Sequence, residues 1–222
     1  MTLVMVFTGG DDVAVDIVDD IPADVAIVAA DSGLSHAEAC GRTVDVAVGD
    51  FDSVEPATLQ RAEQLGTVIE RHPAAKDRTD LALALDRALA MGADEVLVVG
   101  GHGGRLDHLL GNVLLLAAPE YAGVRMRWRG GAARATIVQT EAEITGTRGE
   151  LVSLLPLHGP ALGVTAEGLL FPLSDATLAP GTSRGVSNEL VAERARIGLT
   201  GGVLLVVQPG EQGDLLDGLS PQ

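Results

Sequence analysis

Two aspartates stand two residues apart in the segment VGDFDSV, directly after an apolar run at 45–48 that predicts a buried strand. If the backbone turns after that strand, the carboxylates of Asp50 and Asp52 can face the same site. Hard oxygen ligands suit Mg²⁺, which usually takes one or two carboxylates together with substrate phosphates. Asp80 and Asp107 could complete an acidic cluster. The sequence therefore predicts a site for magnesium and a phosphorylated substrate.

Two basic residues, Lys76 and Arg105, are the candidate phosphate ligands. Lys76 is the one lysine of the chain, and its retention among arginines favours a role for a compact, rotatable ammonium. Arg105 follows the run GGHGG and opens a helix predicted over 106–118. Glycines such as Gly103 and Gly104 let the backbone approach a ligand, and a helix N-terminus offers free N–H groups to phosphate.

Neither of the two best-known glycine-rich phosphate motifs is present at these positions. In a dinucleotide fingerprint the third glycine would stand where this sequence has Leu106. In a P-loop the lysine follows a glycine, whereas Lys76 follows Ala75.

The first half of the sequence alternates between short apolar segments and helix-like segments. Strands are predicted over 3–7, 25–30, 45–48, 67–69 and 95–99, and helices over 35–40, 56–65, 79–90 and 106–118. Such alternation predicts a mostly parallel sheet with helices on its faces. Ligands of such sheets bind at the carboxyl ends of the strands, where five segments of this sequence carry Gly or Asp.

From about Tyr121 the pattern changes to short β-like segments separated by Gly, Pro and Thr. They cover 124–129, 134–139, 141–145, 151–155, 164–170 and 203–207. This predicts an antiparallel β-sandwich or barrel of about 100 residues. We place the domain boundary near residue 120, with an α/β domain over 1–120 and an all-β domain over 121–222. Trp128 is expected in the core of the β domain.

Charge and composition exclude several classes of partner. The formal net charge is −16, which disfavours binding to nucleic acid or to an anionic membrane. Hydrophobic residues make up 46% of the chain, enough for a sizeable core, whereas aromatic residues make up only 2%. The single cysteine, Cys40, cannot form an internal disulfide. No signal peptide or membrane span is evident, so a cytoplasmic location is expected.

Taken together, the motifs resemble those of the thiamine pyrophosphokinase family. The matching segments, in order along most of the chain, are AADSG (29–33), VGDFDSV (48–54), KDRTDLALAL (76–85), GGHGGRLDHLLGN (100–112), GLLFPL (168–173) and GTSRGVSNE (181–189). The resemblance implies an α/β nucleotide-binding catalytic domain, followed by a β-sandwich that binds thiamine and forms a homodimer. It also implies that ATP transfers its pyrophosphoryl group to the hydroxyl of thiamine, giving thiamine diphosphate and AMP, with Mg²⁺.

The resemblance also implies roles for individual residues. The metal ligands would be Asp50, Asp52 and Asp80. Catalytic roles would fall to these three with Lys76, Arg105 and Asp107, and ATP phosphates would be bound by Lys76, Thr79, Gly103, Gly104 and Arg105. Thiamine would be bound by Asp31, Ser187 and Asn188, the last two reaching it across the dimer interface. The tryptophan that eukaryotic members carry near the SN segment is absent, since Glu189, Leu190 and Val191 follow here.

Two other functions fit parts of the sequence. The segment 46–54 also matches the strand and DxDx[TV] pattern of haloacid dehalogenase-type phosphatases, in which Asp50 would be a covalent nucleophile and Asp52 an acid/base. That family needs a later strand that ends in paired acidic residues, whereas the strand at 96–99 is followed by GGHGG. A nucleotide-sensing module without catalysis is the second alternative.

Overall fold

The computed structural model describes residues 1–73, 77–103 and 105–210, and it divides into two compact units, Met1–Gly131 and Ala132–Gln222. The predicted boundary near residue 120 falls ahead of a strand, Arg125–Gly130, that pairs with a strand of the first unit. No helix in the described part of the chain is both long and apolar enough to cross a membrane.

The first unit is built on a parallel sheet of six strands among the described residues. These are β1 Leu3–Thr8, β2 Ala26–Ala30, β3 Val46–Gly49, β4 Val68–Arg71, β5 Glu95–Gly100 and β6 Arg125–Gly130. Their order in the sheet is β4-β3-β2-β1-β5-β6, and each pairing is parallel. The order places β1 at the centre, where Met5 lies opposite both Ile27 and Leu97.

Four α-helices and a short 3₁₀ turn connect these strands. They are α1 Gly33–Ala39, α2 Pro56–Gln64, α3 Asp80–Ala90, α4 Leu106–Leu116 and the 3₁₀ turn Pro119–Tyr121. The sequence of helix α3 explains where the helix begins and which residues it buries. The Thr79 hydroxyl caps the helix by accepting from Ala82 N at 3.2 Å, and Leu81 and Leu85 are buried. Apolar side chains of α1, α2 and the strands form one core cluster.

Trp128 lies in this first unit, on β6, and not in the β unit as the sequence suggested. Its indole Nε1 donates to the carbonyl oxygen of Gly100 at 2.7 Å. The prediction was wrong because β6 completes the parallel sheet before the change to antiparallel pairing. The indole therefore supports the end of β5, from which the glycine-rich segment leaves.

The second unit contains only β-structure among its described residues, and its strand pairings are antiparallel. Its strands are β7 Ala133–Val138, β8 Glu141–Thr145, β9 Leu151–Glu167, β10 Leu173–Leu178, β11 Asn188–Glu189, β12 Arg194–Gly198 and β13 Gly201–Gln208. The strand order is β7-β13-β9-β12-β8, and β10 and β11 also pair with β9.

Strand β9 corrects the prediction of two separate strands at 151–155 and 164–170. One strand of 17 residues runs through the intervening prolines and glycines. Its first half pairs with β13, as Leu155 with Leu205, and its second half pairs with β12, as Ala166 with Ile197. Positive φ angles at His158 (58°) and Gly163 (60°) alter the course of the strand without ending its hydrogen bonding.

Candidate active site

The carboxyl ends of the parallel strands border a cleft of about 750 Å³ in the first unit. Residues that follow β1, β2, β3 and β5 line it, together with the first turns of α3 and α4. This is the edge at which ligands bind in open parallel sheets. The loops that the sequence singled out therefore converge on one cavity.

Three carboxylates meet at the ends of β2 and β3. Asp31, Asp50 and Asp52 each offer one oxygen, and these oxygens all lie within 4.8 Å of one another. The close approach depends on Gly49, because a Cβ added there would lie 3.2 Å from both Cα and Cβ of Asp31. The backbone N–H of Asp31 also donates to the carbonyl oxygen of Val48 at 2.9 Å. We call these three residues the carboxylate triad.

The surroundings of the Asp31 carboxylate favour a bound proton or cation. Its Oδ1 is buried and accepts no hydrogen bond from the described residues. Burial raises its pKa above the usual range, the Ser32 backbone N–H opposes that shift, and repulsion from Asp80, Asp50 and Asp52 adds to it. A buried oxygen without a donor is costly unless a cation or a proton satisfies it. The triad therefore fits a divalent cation that prefers oxygen ligands.

The backbone between Asp50 and Asp52 holds both carboxylates in place. Phe51 has a left-handed backbone (φ 62°), and its buried ring lies under the Arg71 guanidinium at 5.3 Å. The Asp52 N–H donates to Asp50 Oδ1 at 3.2 Å, and the Ser53 hydroxyl donates to Asp52 Oδ1 at 2.9 Å. This turn brings together the pair that the sequence predicted from its spacing.

The start of α3 forms a second wall of the cleft, which Thr79 and Asp80 line. Arg78 anchors this segment, because its Nη2 donates to Asp86 at 2.8 Å, to Glu120 at 3.1 Å and to the Tyr121 hydroxyl at 3.0 Å. Asp80 is close enough to raise the pKa of Asp31, although the structure groups Asp31, not Asp80, with Asp50 and Asp52. The predicted site residue Lys76 lies outside the described residues.

The start of α4 forms a third wall. Arg105 and Asp107 form an ion pair with Nη2–Oδ2 and Nε–Oδ1 distances of 2.5 and 3.1 Å, and both side chains are about two-thirds exposed. Hydrogen bonding to Arg105 lowers the pKa of Asp107 to about 2. Asp107 is thus paired with Arg105 rather than grouped with the triad. Gly103 lines the cleft, and Gly104 lies outside the described residues.

Asp11, for which the sequence predicted no individual role, also lines the cleft. Its N–H donates to the carbonyl oxygen of His102 at 2.8 Å, and a Cβ at Gly103 would lie 1.9 Å from its carboxyl carbon. The segment after β1 and the glycine-rich segment after β5 are therefore held against each other. The run TGGDD at the end of β1 is the signal that could have pointed to Asp11.

The two predicted thiamine contacts of the second unit, Ser187 and Asn188, differ in accessibility. Ser187 is exposed, has a φ of 55°, and donates its N–H to the Ser153 hydroxyl at 3.1 Å. Asn188 is buried, and its Oδ1 accepts from the N–H groups of Phe171 and Glu189, each at 2.9 Å. Its Nδ2 donates to the carbonyl oxygen of Phe171 at 2.8 Å. The Asn188 amide thus holds the backbone of Phe171, whose side chain is 64% exposed.

Comparison with known proteins gives matches over both units. Residues 21–127 match the family profile "Thiamin pyrophosphokinase, catalytic domain", and residues 135–204 match "Thiamin pyrophosphokinase, vitamin B1 binding domain". Thiamine pyrophosphokinase of Bacillus subtilis (strain 168) is 30% identical over 164 residues, which cover 73% of this chain and 77% of the relative. Thiamine pyrophosphokinase 1 of Oryza sativa subsp. japonica is 26% identical over 167 residues, which cover 69% of this chain and 61% of the relative.

Solved structures give the same result. The crystal structure of thiamine pyrophosphokinase from Bacillus subtilis superposes with a TM-score of 0.83 at 26% identity, covering 95% of this chain and 100% of that one. The thiamin pyrophosphokinase from Geobacillus thermodenitrificans superposes with a TM-score of 0.80 at 26% identity, covering 97% and 100%.

The fold, the acid-lined cleft and these matches define a transferase of the kinase class. The chain belongs to the thiamin pyrophosphokinase family and is an enzyme of that family, which confirms the resemblance seen in the sequence motifs. Family membership favours this interpretation over the phosphatase and the nucleotide sensor. In the structure, β5 also leads into Gly100, Gly101 and His102 rather than into paired acidic residues.

Proposed function

We propose that this chain transfers the pyrophosphoryl group of ATP to the hydroxyl of thiamine, giving thiamine diphosphate and AMP. The observation that carries the proposal is the carboxylate triad, whose Asp31 has a buried oxygen and lines the cleft together with residues 77–82 and 101–103. Phosphoryl-type transfer asks a protein mainly for alignment and neutralisation of charge. Family membership supports this class of reaction. The aspartates of the triad and Arg105 are groups of the kind that such a reaction needs.

In this proposal Asp31, Asp50 and Asp52 hold Mg²⁺. The bound ion would neutralise charge on the phosphate oxygens, which carboxylates alone would repel. The turn at Phe51 holds Asp50 and Asp52 in position before substrate binds, so these two side chains lose little further freedom when the metal and substrate bind. Asp80, at the start of α3, extends the acidic wall and completes the set of aspartates that the sequence assigned to the metal.

Arg105 binds the migrating group in this account. A guanidinium has five N–H donors, so Arg105 can bind a phosphate oxygen while it remains bonded to Asp107. Asp107 would then orient the guanidinium and keep its charge partly balanced until ATP binds. Lys76 is assigned to the same phosphates by the sequence, and Gly103 allows the backbone to approach them.

The second unit would bind thiamine through Ser187 and the exposed ring of Phe171. Asn188 fixes the Phe171 backbone through two hydrogen bonds and accepts a third from the Glu189 N–H, so we assign it a supporting role rather than direct contact. Thiamine carries a permanently positive thiazolium ring, and an aromatic face attracts such a cation.

An assay for AMP distinguishes the proposal from both alternatives. Purified protein is incubated with ATP and Mg²⁺, with and without thiamine, and nucleotides and phosphate are separated by chromatography. The proposal predicts AMP formation only when thiamine is present. A phosphatase would release inorganic phosphate without thiamine, and a sensor would leave ATP unchanged.

A further inference from the structure

One arginine joins the start of helix α3 to the turn that follows helix α4. Arg78 stands directly before Thr79, the cap of α3, and its Nη2 donates to Asp86, Glu120 and the Tyr121 hydroxyl at 2.8, 3.1 and 3.0 Å. Asp86 lies on α3, whereas Glu120 and Tyr121 belong to the 3₁₀ turn after α4. We call Arg78, Asp86, Glu120 and Tyr121 the Arg78 network.

Tyr121 gives the network a fixed direction. Its side chain is fully buried, and burial together with the Asp86 carboxylate raises the pKa of its phenol above the ordinary value. The phenol therefore keeps its proton, so its oxygen accepts from Arg78 while its O–H points to Asp86 Oδ1 at 3.2 Å and to the Ala82 carbonyl oxygen at 3.4 Å. Ala82 and Asp86 are four residues apart, so Tyr121 is held against one face of α3.

The network also reaches the cleft. Arg78 and Glu120 both line it, and their ion pair of 3.1 Å connects the wall formed by the start of α3 with the turn after α4. Thr79 and Asp80, the next two residues of the chain, line the same cleft. A displacement of Arg78 would therefore shift the turn that carries Thr79 and Asp80.

Stability alone does not account for the arrangement of Arg78. Its Nε is buried and has no hydrogen-bond partner among the described residues, which costs free energy. Its three hydrogen bonds all use Nη2, which has only two hydrogens, and its side chain is 39% exposed, so solvent weakens its ion pairs. Proteins leave such costs in place mainly at functional sites. The geometry of Arg78 is therefore better explained by what it positions.

We propose that Arg78 is a positioning residue: through the Arg78 network it holds Thr79 and Asp80 where they face Mg²⁺ and the phosphates of ATP. The inference rests on the proposed function, because it takes ATP and Mg²⁺ as the occupants of the cleft. Arg78 acts through the two residues that follow it and needs no contact with either ligand. Misplacement of groups at a reacting centre by about 1 Å can reduce a rate about 100-fold.

Titration calorimetry of the full chain with ATP and Mg²⁺ tests the proposal without turnover. Arg78→Met keeps an unbranched side chain but removes every hydrogen bond of the guanidinium, and it should raise the dissociation constant of MgATP about 10-fold. The matched control is Arg61→Met, because Arg61 on α2 pairs with Glu38 at 2.7 and 2.9 Å and does not line the cleft. This control should bind MgATP as the wild type does. Equal binding by the wild type and Arg78→Met, or an equal loss in both variants, would overturn the proposal.

Two further variants separate geometry from charge. Arg78→Lys keeps the positive charge but lacks the planar guanidinium, so it should recover only part of the MgATP affinity. Tyr121→Phe removes one hydroxyl and changes no charge, so it should weaken MgATP binding in the same direction, and it decides the question if Arg78→Met does not fold. Full affinity in both Arg78→Lys and Tyr121→Phe would show that charge alone matters and would contradict the proposal.

Steady-state kinetics gives the second measurement. Arg78→Met should lower kcat about 10-fold or more at a temperature at which circular dichroism shows it folded, and should change the KM for thiamine by less than about twofold. A lower melting temperature with unchanged kcat would mean a purely structural role and would overturn the proposal. If the wild type bound MgATP and the variants lost affinity as expected but no AMP formed, the proposed reaction would fail while the role of Arg78 stood. If the wild type formed AMP and the variants matched it, the role of Arg78 alone would fail.

Discussion

At the scale of single residues, Asp31 illustrates how a side chain that we propose as a metal ligand can oppose folding. Burial and the neighbouring carboxylates raise its pKa, so the folded chain binds a proton at Asp31 more tightly than the unfolded chain does. Stability from this group therefore falls as pH rises from its ordinary pKa of 3.8 through the raised value. In its ionised form and without metal, Asp31 destabilises the folded state.

We predict that Asp31→Asn does not lower the stability of the metal-free protein but removes most of its stabilisation by Mg²⁺. Without metal at neutral pH, the variant should melt at or above the wild-type temperature, because it removes a buried charge. Addition of Mg²⁺ should stabilise the wild type and have little effect on the variant. Thermal denaturation in chelator and in Mg²⁺ measures both effects, with Asp12→Asn, an exposed acid outside the cleft lining, as the control. Equal metal stabilisation of wild type and Asp31→Asn would exclude Asp31 as a ligand.

The Arg105–Asp107 pair gives a second prediction at this scale. With a pKa of about 2, Asp107 stays ionised at any pH at which the enzyme is assayed. Its contribution to stability is present above the ordinary pKa of 3.8 and is lost only as pH falls through about 2. Arg105→Gln should return the Asp107 pKa toward 3.8, and carboxyl ¹³C NMR would measure the change. An unchanged titration in Arg105→Gln would show that another group lowers this pKa.

At the scale of elements, the residue that caps helix α3 also lies at the cleft. The Thr79 hydroxyl caps the helix whose first residue, Asp80, faces the cleft. We predict that Thr79→Ala destabilises the protein by about 1 kcal/mol through the lost cap, and that Thr79→Ser retains most of the stability. Urea denaturation measures the difference. If Thr79→Ala were as stable as Thr79→Ser, the cap would not hold this helix end in place.

In the β unit, the hydrogen bonds between the Asn188 amide and the Phe171 backbone hold the segment before β10 in place. Removal of a buried amide with three hydrogen bonds leaves the backbone groups of Phe171 without partners, which typically costs about 1–3 kcal/mol. We predict that Asn188→Ala lowers stability and raises the KM for thiamine more than that for ATP. The matched variant Ser187→Ala, at an exposed position, should retain stability. Equal effects on both KM values would argue against a role specific to thiamine.

Sequence patterns predicted the strands with strong apolar signals and missed β10 and β11, which lack such signals. The buried strands β1, β2 and β5 are nearly continuous runs of apolar residues, so both their location and their parallel pairing could be inferred. The strand β10, LSDATL, and the two-residue β11 are polar or short, and only their pairing with β9 makes them strands. Pairing partners distant in the chain are not visible in local periodicity.

The same limit applies to the site. Asp50 and Asp52 could be predicted because two residues of one turn must lie close together. The third member of the triad, Asp31, depends on β2 lying beside β3 and on the close approach that Gly49 allows. The pairing of Arg105 with Asp107 depends on side-chain conformation, which residue spacing does not fix.

At the scale of the whole molecule, we propose that each of the two units supplies different groups for the reaction. The first unit contains the carboxylate triad and the cleft that Asp31 lines. The second unit matches the vitamin B1 binding profile and holds Phe171 and Ser187 at its surface. Transfer of an intact pyrophosphoryl group is the activity that would require both sets of groups, so its products are the most direct evidence.

The decisive measurement is a time course of products from ATP, thiamine and Mg²⁺, followed by mass spectrometry for the wild type and for Asp52→Asn. The account predicts that AMP and thiamine diphosphate appear in equal amounts from the first turnovers, without ADP or free phosphate. Loss of a metal ligand should slow Asp52→Asn by about 100-fold or more, with its circular dichroism spectrum unchanged. Formation of ADP or phosphate instead, or near wild-type rates in Asp52→Asn, would contradict it.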